Sequence, residues 1–95
     1  MKCAECSGTF KPKQAKQIFC ATPCRDAYHN RMAKRGKTLA PLVMAYRVKR
    51  GGETAKRAHL DYCRLVADFN EADTAAGRMS ANVFMAHQYK HWLRG

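Results

Sequence analysis

Apolar residues recur every three or four positions over the last two thirds of the chain, which is the spacing of one buried helix face. This periodicity predicts helices over about 38–50, 54–76 and 81–93. The apolar stripe of the first consists of Leu39, Leu42, Val43 and Tyr46. That of the second consists of Ala58, Tyr62, Leu65, Val66 and Phe69, and its acidic face of Asp61, Asp68, Glu71 and Asp73. The last bears Phe84, Met85, Tyr89 and Trp92.

A further helix is predicted before these three, over about 23–35. Thr22 is expected to cap it, with Pro23 at its first position, where a missing N–H costs nothing. Gly36 is expected to end it. Thr38 then caps the next helix, which tolerates Pro41 in its first turn. Later breaks are predicted at Gly51-Gly52, at Gly77 and before the cap Ser80.

Residues 1–24 lack this periodicity, and their large apolar side chains are only Met1, Phe10, Ile18 and Phe19. What they contain is cysteine in two close pairs, Cys3 with Cys6 and Cys20 with Cys24. Residues 9–19 between the pairs predict a short hairpin, and Gly8 is expected to take the left-handed conformation of a knuckle. Tyr28 is expected to pack beneath the site. Four thiolates around one ion form a closed structural site, so the interpretation favoured is one zinc ion that folds this end.

Other uses of these cysteines remain open. An iron–sulfur cluster also accepts four thiolates, and a redox pair or disulfides are further alternatives. Disulfides are disfavoured because the chain opens with Met1-Lys2 and no apolar export segment, and because Cys63 makes the count odd. Cys63 is interpreted as a small, at least half-buried side chain. His29 as a ligand, or His87 and His91 as a second metal site, have weaker support.

Charge divides the 95 residues into two parts. Residues 1–57 carry 14 of the 18 basic side chains and three of the seven acidic ones, so the whole net charge of +11 lies there. Zinc with four thiolates would lower it to about +9. Such a surface seeks polyanions. Because no apolar run is long enough to span a bilayer, we expect a soluble, cytoplasmic protein without a membrane partner.

The candidate nucleic-acid contacts lie in two groups. The first is in the predicted hairpin and consists of Lys11, Lys13 and Lys16. The second is on the helix after the last cysteine and consists of Arg25, Arg31, Lys34, Arg35 and Lys37. A solvated turn and a solvated helix are the alternative interpretations.

The cysteine spacing, together with Phe10, Pro12, Phe19 and Arg25, resembles the treble-clef zinc fingers with a Phe-Cys-Ser signature. Ala21 departs from that signature, where a serine is usual. Over its whole length the chain looks like short bacterial and prophage-encoded zinc-finger proteins. The resemblance implies a small α+β, metal-bound fold: a treble clef of knuckle, β-hairpin and helix over 1–36, followed by a mainly helical bundle over 37–95.

Two functions follow as expectations. The first is a zinc-finger protein that binds nucleic acid, DNA more than RNA, as a small transcription regulator of bacterial or phage type. The second is a module that docks on a nucleic-acid enzyme such as polymerase or gyrase through the C-terminal helices, and a homodimer remains open. A nuclease is disfavoured because residues 9–19 contain no His, Asp or Glu, so we expect no enzymatic activity.

Overall fold

The computed structural model describes the backbone of residues 1–92 and the side chains of residues 1–90. Three helices account for most of it: α1 (Thr22–Val48), α2 (Glu53–Ala75) and α3 (Ala81–Trp92). Between Met1 and Trp92 there is no strand or sheet, and the one β pairing is an isolated antiparallel bridge between Lys2 and Thr9. The α+β prediction, with its β-hairpin, is therefore wrong, and the fold is helical.

Backbone hydrogen bonds explain why residues 9–19 form no hairpin. The Phe10 N–H donates to the Met1 carbonyl at 2.8 Å, and the Ile18 carbonyl accepts from the Ala4 N–H at 2.8 Å. Both ends of the segment thus pair with the first four residues of the chain and not with each other. Residues 1–4 therefore supply the backbone partners that the two predicted strands were expected to provide for each other.

Helix α1 continues without a break through Gly36 and Pro41 to Val48. The predicted end at Gly36 and the predicted new start at Thr38 are therefore wrong. Two contacts with α2 bracket the stretch that was expected to break: Arg35 lies over the Phe69 ring at 4.6 Å, and Tyr46 stacks on His59 at 4.5 Å. Packing along α2 outweighs the weak local preference for a stop.

Both predicted limits of the helix over 54–76 and the predicted start of the helix over 81–93 are confirmed to within a residue, whereas the predicted end at 93 lies outside the described residues. Gly77, with φ of 73°, follows the C-terminus of α2. Its N–H donates to the Thr74 carbonyl, and the Arg78 N–H donates to the Asp73 carbonyl, which is a glycine-terminated helix end. Ser80 caps α3 as predicted, since its hydroxyl accepts from the Val83 N–H at 3.3 Å.

The structure divides into two compact units. One is Met1–Tyr28 with the residues from Asn70 onward, and the other is His29–Phe69. The predicted domains over 1–36 and 37–95 stay a prediction.

The unit His29–Phe69 is a hairpin of two antiparallel helical segments. Its buried core residues are Ala55 and Ala58, and Tyr46 contacts His59 and Tyr62 across the hairpin. Small side chains at 55 and 58 leave room for a close approach of the helices. The predicted stripe is only partly covered, because Val66 on α2 is 44% exposed.

The other unit is built on an aromatic stack and an ion pair. Tyr28 packs between Phe19 and Phe84, with ring centroids 5.3 and 4.7 Å away. Asp73 was predicted on the acidic face of its helix, and in the structure it is buried and accepts a hydrogen bond from the Arg78 guanidinium at 2.8 Å. A buried carboxylate needs such a partner, which the helical pattern alone does not reveal.

Candidate metal centre

The sulfur atoms of Cys3, Cys6, Cys20 and Cys24 all lie within 4.8 Å of one another. Two of the separations are 3.8 Å, between Cys6 and Cys20, and 3.6 Å, between Cys20 and Cys24. The structure therefore brings together the four side chains that the sequence predicted as ligands. This four-cysteine cluster could hold one metal ion.

The first cysteine pair is held by a tight turn. The Cys3 N–H donates to the Gly8 carbonyl at 2.8 Å, and the Ser7 N–H donates to the Cys3 carbonyl at 3.0 Å. Ser7, with φ of 59°, takes the left-handed conformation. The prediction that Gly8 takes it is therefore wrong. Glycine is the usual residue in that region, so the local sequence favoured Gly8 over Ser7.

Gly8 has a different role, which is to let the backbone approach a sulfur. Its N–H donates to the Cys6 sulfur at 3.4 Å, and a Cβ at this position would lie 3.3 Å from that same atom. A methyl group would push against a ligand sulfur. Glycine is therefore favoured at residue 8 by space and not by its φ angle.

The second pair is placed by the start of α1. Cys24 lies in the first turn, and its N–H donates to the Ala21 carbonyl at 3.2 Å. This position at the helix N-terminus fixes where the Cys24 side chain leaves the backbone. The Cys20 N–H also donates to the Cys3 sulfur at 3.3 Å, which ties the two pairs together.

The electrostatics of the cluster favour one thiolate and resist further ones. Burial raises the pKa of Cys3, but N–H groups of the backbone, those of Cys6 and Cys20 foremost, outweigh it and lower the pKa to about 6. The hydrogen bond with Cys20, followed by burial, raises the pKa of Cys24 to about 12. Four adjacent thiolates repel one another, so the fully deprotonated set needs a cation.

The fit of the donor set to a metal ion is good. Cys3 is buried, Cys24 is half-buried, and Cys6 and Cys20 face the solvent, so an ion can enter from one side. Around a four-coordinate ion, four protein sulfurs leave no position for a water molecule. The cluster is therefore suited to structural binding and not to hydrolysis.

The three predicted contact lysines of the loop are all exposed: Lys11, Lys13 and Lys16. Gln17 holds this loop, because its side-chain carbonyl accepts from the Lys13 N–H at 2.7 Å and its amide group donates to the Phe19 carbonyl at 2.8 Å. This clamp was missed in the sequence, where Gln17 reads as an ordinary polar residue. It presents the lysines on an ordered loop.

The predicted contacts on α1 differ in exposure. Arg25, Lys34 and Lys37 are exposed, and Arg25 lies 3.7 Å from the Asp26 carboxylate. Arg31 and Arg35 are half-buried, and the guanidinium of Arg35 lies on the Phe69 ring. Arg35 is thus at least partly a packing residue.

The histidine alternatives do not extend this centre. Among the described side chains, the four cysteines are the one group of three or more metal-ligating residues, and His29 is not part of it. The suggested pair of His87 and His91 cannot be followed, because the His91 side chain lies outside the described residues, as does that of Trp92.

Comparison with known proteins finds no family, no curated protein and no solved structure that matches this chain. The treble-clef resemblance therefore has no support from a relative. Within residues 1–92, no helix combines the length and apolar character needed to cross a bilayer.

Proposed function

We propose that the four-cysteine cluster binds one structural zinc ion. A tetrahedron with Zn–S bonds of about 2.3 Å has sulfurs about 3.8 Å apart. The Cys6–Cys20 and Cys20–Cys24 separations of 3.8 and 3.6 Å fit that value. In a four-iron cluster each thiolate binds a different iron, which requires sulfurs farther apart. Metal analysis of the purified protein, with one zinc and no iron per chain expected, tests this choice.

The function that the surface supports best is binding of nucleic acid, with duplex DNA as the expected target. The observation that carries this proposal is the excess of basic over acidic side chains in residues 1–57. Part of that excess is formed by the exposed lysines of the loop held by Gln17, next to the four-cysteine cluster. Lysines on an ordered loop contact phosphates at a low entropy cost. A role as a small transcription regulator of bacterial or phage type is the corresponding biological proposal.

On α1, the contribution to binding should follow exposure. Lys34 and Lys37 have free access to solvent and are assigned to phosphate contact. Arg35 is assigned a smaller share, because moving its guanidinium to a phosphate would break its contact with Phe69. Reversal of the charges of Lys34 and Lys37 should therefore weaken binding to nucleic acid more than Arg35→Gln does.

The decisive experiment is binding of the zinc-loaded protein to random duplex DNA over a salt series. Log K should fall with log salt with a slope of about −0.9 per phosphate contacted. Replacing Lys11, Lys13 and Lys16 by Glu should reduce the slope by up to about 2.7 in magnitude. A control reverses the charges of two residues outside the basic part of the chain, Arg64 and Lys90, and should leave the slope almost unchanged.

Two results would contradict this proposal. One is the absence of binding at low salt, and the other is an equal loss with the control reversals. A parallel series with single-stranded RNA decides between the two nucleic acids. Equal affinity for both, with equal slopes per charge, would indicate nonspecific binding to polyanions.

A second candidate function is docking on a protein, for example a polymerase or gyrase. It is favoured by large apolar side chains that α3 leaves to solvent, since Val83 and Tyr89 are each 52% exposed. Exposed aromatic residues are common anchors at protein interfaces. We propose no enzymatic activity, because a closed site of four cysteines offers no open coordination position to a substrate.

A further inference from the structure

A second set of metal-ligating side chains lies on α2, within the unit His29–Phe69. The Nε2 atom of His59 and the sulfur of Cys63 are 3.6 Å apart, one helical turn from each other. Neither residue belongs to the four-cysteine cluster. Cys63 was predicted to be at least half-buried, but its side chain is exposed.

The spacing of this pair suits chelation of a single ion. With a Zn–N bond of about 2.0 Å, a Zn–S bond of about 2.3 Å and a tetrahedral angle, the nitrogen and sulfur lie about 3.5 Å apart. The observed 3.6 Å therefore needs almost no rearrangement. Imidazole and thiolate together prefer borderline-soft ions such as Zn²⁺ over Mg²⁺ or Ca²⁺.

The imidazole ring is also held in place from both helices of the hairpin. Tyr46 stacks on His59 with ring centroids 4.5 Å apart, and Tyr62 meets it edge-on at 5.4 Å. These contacts restrict ring rotation before any ion binds. A fixed nitrogen beside an exposed sulfur lowers the entropy cost of capturing an ion.

Two ligands are half of a tetrahedral zinc site, so the site is incomplete in one chain. The surface around Cys63 suggests what completes it. Lys56, Leu60, Cys63 and Ala67 are all exposed and follow each other at steps of four, three and four residues. This is the spacing of a seam between paired helices, and Leu60 at its centre is 68% exposed.

The sequence around Cys63 also fits pairing with itself. Leu60 lies three residues before Cys63 and Ala67 four residues after it, so two α2 helices that cross antiparallel at Cys63 would place Leu60 of each copy against Ala67 of the other. Charge opposes this arrangement only weakly at the paired helices themselves. Helix α2 carries five acidic and three basic side chains, whereas the whole chain has a net charge of +11.

We propose that His59 and Cys63 form a half-site for a zinc-like ion, and that the same two residues of a second copy complete it as a shared centre of two imidazoles and two thiolates. This inference goes beyond nucleic-acid binding and does not depend on it. A dimer linked by α2 would double the number of basic surfaces on one particle, but its formation requires only the ion.

The test starts from full-length protein that already contains one zinc per chain, kept in a reducing buffer. Zinc chloride is added, and the bound metal and the mass in sedimentation equilibrium are measured together. The expected result is uptake of a further half ion per chain with a doubling of mass. Cys63→Ser and His59→Gln should each weaken ion-dependent association at least tenfold, without loss of the first zinc.

Further variants separate chelation from a loss of packing. His59→Cys keeps a chelating pair at the same spacing and should retain uptake, although it removes the ring contacts with Tyr46. His29→Gln, a change at an exposed histidine outside the pair, should behave as the unchanged protein. Circular dichroism of each variant checks that its helices remain.

Three results would overturn the proposal. The first is no uptake beyond the first zinc. The second is uptake of a whole extra ion by a chain that stays monomeric. The third is dimerisation that persists in Cys63→Ser or without added ion.

Discussion

At the scale of single residues, backbone groups as well as sulfur atoms shape the four-cysteine cluster. The N–H groups of Gly8 and Cys20 donate to the sulfurs of Cys6 and Cys3. Such bonds fix the directions of the thiolates and share their negative charge. Loss of a single ligand should therefore be severe even though the other three remain.

Cys20→Ser should lose most of the bound zinc and unfold residues 1–28. The reason is that this segment buries only Cys3, Ala4 and Ile18 and cannot offset its chain entropy without the ion. Zinc content and the helical signal of the purified protein measure the effect. Cys63→Ser, at a cysteine outside the cluster, is the matched control and should keep the first zinc. Full zinc content in Cys20→Ser would refute the assignment.

Gly77→Ala should destabilise the protein by about 1–2 kcal/mol. The φ angle of 73° disfavours a Cβ, which would also lie 3.3 Å from the Ser7 hydroxyl oxygen. Thermal unfolding of the zinc-loaded protein measures the change. Gly51→Ala serves as the control, because a Cβ there meets nothing within 4 Å, and an equal loss in both variants would contradict this explanation.

At the scale of elements, the length of α1 is the main difference from the sequence-based expectation. A glycine that ends a helix usually needs φ above zero, whereas a glycine inside a helix is merely less favourable than alanine. Whether a substitution at Gly36 raises or lowers the free energy of unfolding therefore shows whether this glycine lies inside the helix or ends it.

Gly36→Ala should stabilise the protein by about 0.5–1 kcal/mol, because alanine is the better residue in a helix interior and the added methyl meets nothing within 4 Å. Denaturant unfolding gives the change in the free energy of unfolding. Destabilisation instead would mean that α1 ends at Gly36, as the sequence pattern suggested.

The helices that the sequence predicted well have local signals at both ends. Gly77 and Ser80 mark the gap between α2 and α3, and hydrogen bonds in the structure use both residues as expected. The four-cysteine cluster was predictable for a similar reason, since the spacing of its two pairs is typical of a site that could hold one metal ion. Local chemistry sufficed in these cases.

The predictions that were wrong concern features that depend on a partner outside the helix or segment itself. Residues 9–19 form no hairpin because Phe10 and Ile18 pair with the first residues of the chain. Gly36 does not end α1 because residues of α1 before and after it in sequence, Arg35 and Tyr46, pack against α2. Asp73 is buried because Arg78 neutralises it. None of these partners is visible in a local pattern.

At the scale of the whole molecule, the metal centre and α3 belong to the same compact unit. The Met79 N–H donates to the Ala4 carbonyl at 3.0 Å, next to the ligand Cys3, and Phe84 stacks on Tyr28. The ion should therefore stabilise residues far from it in sequence.

Removal of zinc by a chelator should increase hydrogen exchange in α3 together with that in residues 1–28, because both belong to one compact unit and we expect that unit to open cooperatively. Protection in His29–Phe69 should fall less. Exchange followed by mass spectrometry, with and without chelator, measures both regions. Unchanged protection of α3 after the loss of zinc would contradict this coupling.

The bond between Ala4 and Met79 also bears on the order in which the chain assembles during synthesis. All four ligands lie within the first 24 residues, so they leave the ribosome long before Met79 does. The ion can then be captured early, while the Ala4 carbonyl still faces water. Closing this contact joins residues 75 positions apart and should be a late, slow step. A nascent chain stalled before residue 79 would bind its metal but would lack the contacts that Met79 and α3 make later.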